Sequence, residues 1–86
     1  MDSHFKKLYK NIGSYVNKKY PLCYKGVYII LYFDDDTELF KCYNVLEKRK
    51  DWLIFTSKTQ RKIARFILQQ YTYEDLSNIS RIEIVI

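Results

Sequence analysis

Four cations stand at Lys58, Arg61, Lys62 and Arg65, spaced i, i+3, i+4, i+7. On a helix that spacing gathers them into one stripe, and the stripe has a single sign because no acid follows before Glu74. Lys and Arg bind phosphate oxygens directly, and a helix N-terminus adds backbone N–H groups and the positive end of its dipole. The chemistry on offer is neutralisation of a polyanion's backbone. The bland alternative is a solvated outer face, although such faces ordinarily mix signs. A second basic run, Lys48-Arg49-Lys50, falls in an expected turn. There it either reaches a nucleic-acid backbone or keeps a hairpin tip soluble.

Catalytic chemistry lacks its parts. The one histidine, His4, sits near a terminus, and neither Cys23 nor Cys42 has a neighbouring histidine to activate it. Asp34, Asp35 and Asp36 lack the spacing and glycine of a calcium loop and read as a polar turn. Two cysteines and one histidine are too few for a closed zinc site, and neither a Gly-rich phosphate loop nor an HExxH is present. The expectation is a binding protein that is not an enzyme and needs no cofactor. Trp52, at the start of an expected strand beside charged residues, is either core or a partner anchor. Arg81 and Glu83 alternate with isoleucines in the last segment, as on a one-sided edge strand able to pair with a partner.

These residues need elements to hold them. Phe5, Leu8, Tyr9, Ile12, Tyr15 and Val16 recur at helical spacing, predicting an amphipathic helix over residues 3–18, capped by Asp2 or Ser3 and stopped by Pro21. Gly26 opens Val27-Tyr28-Ile29-Ile30-Leu31-Tyr32-Phe33, apolar and aromatic at every position, which predicts an interior strand covered on both faces. Residues 38–46 and 52–56 are expected to complete an antiparallel meander. Ser57 and Gln60 stand at capping-box spacing, so a second helix is expected to run to Tyr71 and bury Ile63, Phe66 and Ile67. A short turn over residues 73–78 then leads to a strand over 81–86.

The predicted fold is thus α+β, in the order α-β-β-β-α-β. It has a single antiparallel sheet, both helices packed on one face, and the other face left partly open. Tyr28, Tyr32 and Tyr43 alternate along the first two strands. They are either core residues with hydroxyls at the rim or rings on that open face, as on single-strand RNA platforms.

The 86 residues make one domain, 1–86, with room for one core. Hydrophobic residues are 48% of the chain and Gly and Pro together only three positions, which favours a packed globule over a disordered tail. Fifteen Lys and Arg against ten Asp and Glu give a net charge of +5, which favours anionic partners, nucleic acid or acidic protein alike. The longest apolar run is too short to cross a bilayer and the first residues are too charged for a signal peptide, so the expected setting is cytoplasmic, with reduced cysteines and no membrane partner. The wealth of Lys, Tyr, Ile and Asn is that of an AT-rich genome, viruses and phages included.

Residues 4–71 also resemble the two small Alu-RNA-binding proteins of the signal recognition particle. The likeness rests on a short helix ending before Pro21, the run from Val27 to Phe33 followed by an acidic turn, and Leu39-Phe40-Lys41 in the next strand. It continues in Trp52-Leu53-Ile54-Phe55-Thr56 leading into Gln60-Arg61-Lys62-Ile63-Ala64-Arg65-Phe66. The resemblance implies an α-β-β-β-α fold, a basic sheet surface against folded RNA with Lys41 among its contacts, and a related protein as partner. The final strand, 81–86, lies outside that pattern.

The expected function is a small basic protein that contacts nucleic acid, RNA favoured, through backbone phosphates. Its candidate residues are Lys58, Arg61, Lys62, Arg65, Lys48, Arg49, Lys50 and Lys41. The alternative is a phage or viral accessory protein that inhibits a host machine by protein–protein contact through Trp52 or the edge strand of Arg81 and Glu83, as a homo- or heterodimer.

Overall fold

The structure, a computed structural model, describes residues 3–23 and 26–86; Asp2 and the side chains of residues 3–5 lie outside what is described. The chain runs α1 (Ser3–Gly13), β1 (Lys19–Tyr20), β2 (Val27–Phe33), β3 (Thr37–Cys42), β4 (Glu47–Lys48), β5 (Leu53–Ile54), α2 (Ser57–Gln70), α3 (Tyr73–Ser77) and β6 (Ile79–Val85). The class is α+β, as the periodicity predicts, but the single sheet is corrected to two three-stranded antiparallel sheets, ordered β3-β2-β6 and β1-β5-β4.

The break falls where the second strand was expected to run on through residue 46. Asn44 adopts φ 54°, a left-handed conformation that Asn tolerates better than most residues, and it ends the extended run after β3. The chain then starts β4, which pairs with β5 in a different sheet. On its other side β5 pairs with β1, a strand formed by residues expected to follow the first helix's end. Asn17, with φ 75°, turns the chain between α1 and β1. Backbone bonds from Asn17 N–H to Phe55 O at 2.7 Å and from Phe55 N–H to Lys18 O at 3.0 Å extend that ladder.

β2 is the central strand of the larger sheet, flanked by β3 and β6, so its interior place is as expected. Its two covered faces are not. Val27, Ile29 and Leu31 are fully buried, whereas Tyr28 is 37% exposed and Ile30 and Tyr32 are half-buried. The inward residues join one core with Leu8 and Ile12 of α1, Ile63, Ala64 and Ile67 of α2, Leu76 of α3 and Ile82 and Ile84 of β6. Aromatic contacts place α2 beneath the β3 side, with Phe40 against Phe66 at 5.4 Å and against Tyr71 at 5.9 Å. A small groove shared by Lys7, Leu8, Ile79 and Ile82 places α1 beside β6.

Hydrogen bonds fix the helices. Thr56, not Ser57, caps α2 by accepting the N–H of Thr59, and its hydroxyl lies 3.1 Å from Glu47 Oε1. Thr59 donates to Val45 O at 2.7 Å, tying the helix start to the chain ahead of β4. Gln60, expected in a capping box, is buried and donates instead to Tyr9 O of α1 at 2.8 Å. A Cβ on Gly13 would lie 2.9 Å from that Gln60 Nε2, so the glycine admits the side chain that joins the helices. The box forms one helix later, where Thr72 and Asp75 cap α3 reciprocally.

β6 is an edge strand, and part of its edge is closed. The Ile84 N–H donates to the Tyr15 hydroxyl at 3.1 Å, filling a position where another strand would bond. Among the described residues no helix is long and apolar enough to cross a membrane.

Candidate nucleic-acid interface

Lys58, Arg61, Lys62 and Arg65 are all exposed, on the side of α2 opposite its buried Thr59, Gln60, Ile63, Ala64 and Ile67. The helix contains no acid, and the ion pairs among the described residues, Arg49 with Glu47 at 3.4 Å and Arg81 with Glu83 at 3.8 Å, do not reach the stripe. Four like charges on one face repel one another, a cost that a bound polyanion relieves. The helix start contributes less than the spacing suggests, because Thr56 already takes one of its first N–H groups.

The second basic group is less free. Lys48 lies in β4, while Arg49 and Lys50 stand at the tip of the β4–β5 hairpin, closed by an Arg49 N–H to Trp52 O bond of 2.7 Å. All three are exposed, but Arg49 is partly neutralised by Glu47. The tip and the start of α2 fall at opposite ends of β5, which keeps the two groups apart. Trp52 is half-buried; the Lys19 ammonium stands 4.3 Å from its ring centre, and its indole N–H is buried without a hydrogen-bond partner.

Lys41 sits where two surfaces meet. Its ammonium lies 4.9 Å from the Tyr28 ring centre and 5.0 Å from that of Tyr43, and the Tyr28 hydroxyl beside it raises its pKa, with Tyr43 acting in the same direction. Lys41 and Tyr43 also line a groove of about 310 Å³ with Val45, Lys62 and Phe66, which runs round the β3 edge from the sheet to the helix. The structure thus brings Lys41 and Lys62 together and leaves residues 48–50 and Trp52 on the smaller sheet.

Arg81 and Glu83 lie on the sheet face turned away from the helices. The strand registers pair Tyr28 with Lys41 and Val85, Ile30 with Leu39 and Glu83, and Tyr32 with Thr37 and Arg81. Because side chains directly opposite in a ladder share a face, these nine residues form one three-by-three surface. The Arg81 guanidinium stands 4.2 Å from the Tyr32 ring centre. Sequence alternation shows which residues of β2 share a face; that this face is the open one comes only with the strand order.

The opposite end of the molecule is acidic. Asp34, Asp35, Asp36, Glu38 and Asp75 surround a groove of about 440 Å³ beside Tyr71, whose pKa is raised first by burial and then by Glu38 and Asp75. Among the described residues no group of three or more His, Cys, Asp or Glu is placed to hold a metal ion. Compared with protein-family models, curated proteins and solved structures, the chain matches none.

Proposed function

We propose that this chain is a nucleic-acid-binding protein that grips the sugar–phosphate backbone, RNA in the first place, with Lys58, Arg61, Lys62 and Arg65 of α2 and with Lys41. The observation that carries the reading is the acid-free, exposed stripe on α2, continued by Lys62 and Lys41 into one groove. The residues involved are cations without a groove-reading motif, so affinity comes mainly from phosphate contacts and depends steeply on salt.

The test is a fluorescence-anisotropy titration of labelled RNA at several salt concentrations. Saturable binding is expected, weakening with a log–log slope of magnitude about 3 to 5, as for some four to seven phosphate contacts. The R61E/R65E double variant is expected to stay folded, to bind at least about tenfold more weakly and to show a shallower slope. Absence of binding at low salt overturns the reading and turns attention to a protein partner at β6. Wild-type affinity in R61E/R65E removes the stripe from the site.

A further inference from the structure

The sheet face turned away from the helices carries apolar area that no packing within the described chain uses. Leu39 is 60% exposed, Tyr43 65% and Tyr28 37%, and Val85 is exposed beside them. Single exposed apolar residues are ordinary, but register makes Leu39, Tyr28 and Val85 contiguous, and Lys41 bridges Tyr28 to Tyr43. Cations stand against the rings: Lys41 between Tyr28 and Tyr43, and Arg81 over Tyr32. Aromatic faces lined by cations suit flat, electron-rich groups on an anionic chain.

We infer that this face is a stacking platform for an unpaired RNA strand, with bases on Tyr28, Tyr32 and Tyr43 and phosphates on Lys41 and, round the β3 edge, on Lys62. The inference rests on the nucleic-acid reading above and deepens it by naming the state of the strand. Tyr28 and Tyr32 are four residues apart on one strand, a spacing of about 13 Å, which leaves room for a further base over Ile30 and Leu39. Glu83, the one acid among the nine facing residues, is on the β6 side and holds Arg81. It repels phosphates there and directs the backbone to the β3 side, where Lys41 and Lys62 share a groove. A duplex gains little from such a face, because its bases are stacked inside and neither the deep, narrow major groove nor the shallow minor groove of A-form RNA offers a free base face to the rings. Stacking is tolerant of sequence, consistent with a surface that holds rings and charges.

The experiment compares a short single-stranded RNA with a blunt RNA duplex, each titrated against the full chain and its Y28A, Y32A and Y43A variants, with Y28F, Y32F and Y43F as controls. Circular dichroism checks folding, and Y43A keeps the test decisive should a β2 variant fail to fold, because Tyr43 lies just beyond β3. Each Tyr→Ala change is expected to weaken single-strand binding about 5- to 150-fold with the salt slope unchanged, while each Phe variant stays within about threefold of wild type. Tyr→Ala variants that bind the single strand as wild type does, or a wild type that prefers the duplex, overturn the platform. Binding that is lost in R61E/R65E but indifferent to the tyrosines leaves the backbone reading standing alone. Failure to bind either RNA at low salt removes both.

Discussion

Val27, Ile29 and Leu31 are closed to solvent, while Tyr28, Ile30 and Tyr32, interleaved with them on the same strand, look outward and keep part of their surface wet. Both sets are large and apolar, so composition does not separate them. The difference lies in the elements opposite: two helices and their isoleucines cover the first set, and nothing in the described chain covers the second. An apolar strand without polar alternation is thus no proof of two packed faces. Where the second face has tyrosines rather than more isoleucine, the hydroxyls make exposure cheaper and leave the rings available.

Substitutions sharpen this contrast in a graded way. Leu31→Ala is expected to destabilise the fold by about 2–5 kcal/mol, measured by denaturant unfolding, since it removes a fully enclosed side chain; Ile29→Val, at about 0.5–1.5 kcal/mol, gives a readable value should Leu31→Ala not fold. A cost for Leu31→Ala no larger than that of Tyr28→Ala, or no measurable cost for Ile29→Val, would erase the distinction between the faces. Cys42, on the inner face of β3, is buried, and burial pushes its thiol pKa up, whereas Cys23 is exposed. Mass spectrometry of iodoacetamide labelling near pH 8 is expected to find Cys42 modified roughly a hundredfold more slowly than Cys23, because it needs both an opening and a less accessible thiolate. Equal rates would mean that the inner face is open.

Smaller effects follow at the margins of the sheet. Tyr15→Phe removes the hydroxyl that accepts the Ile84 N–H and is expected to cost about 1 kcal/mol and to raise concentration-dependent association, read by sedimentation. Unchanged association would show that the edge is closed by other means. Tyr28→Ala is expected to change stability least, by no more than about 1 kcal/mol, since its ring is partly solvated in the folded protein.

Local patterns read well where a local cause fixes the structure. The helix bearing Ile63 and Ile67 and the last alternating strand follow from periodicity within the segment, and the strand from Val27 to Phe33 from an unbroken apolar run rich in β-branched and aromatic residues. The division into two sheets does not, because it depends on one left-handed residue, Asn44, and on two-residue strands that carry no periodicity of their own. Gln60 shows the same limit: its spacing from Ser57 fits a cap, yet its amide bonds to Tyr9 O, about fifty residues away in sequence. For the candidate interface, the α2 stripe is legible because four cations at helical spacing need only the helix. The meeting of Lys41 with Lys62, and the gathering of Arg81 with Tyr32, depend on long-range pairing that no window of sequence contains.

The strand order of the larger sheet also has a bearing on time. β2 and β3 are joined by a short turn and can pair within the microseconds of a hairpin, but β6, the other neighbour of β2, arrives about fifty residues later in the chain. Until it docks, β2 is a bare apolar edge whose isoleucines and leucine have half their neighbours. The pairing of β6 is the more distant of the two closures that complete β2, and any chain in which only β2 and β3 have paired keeps that apolar edge exposed.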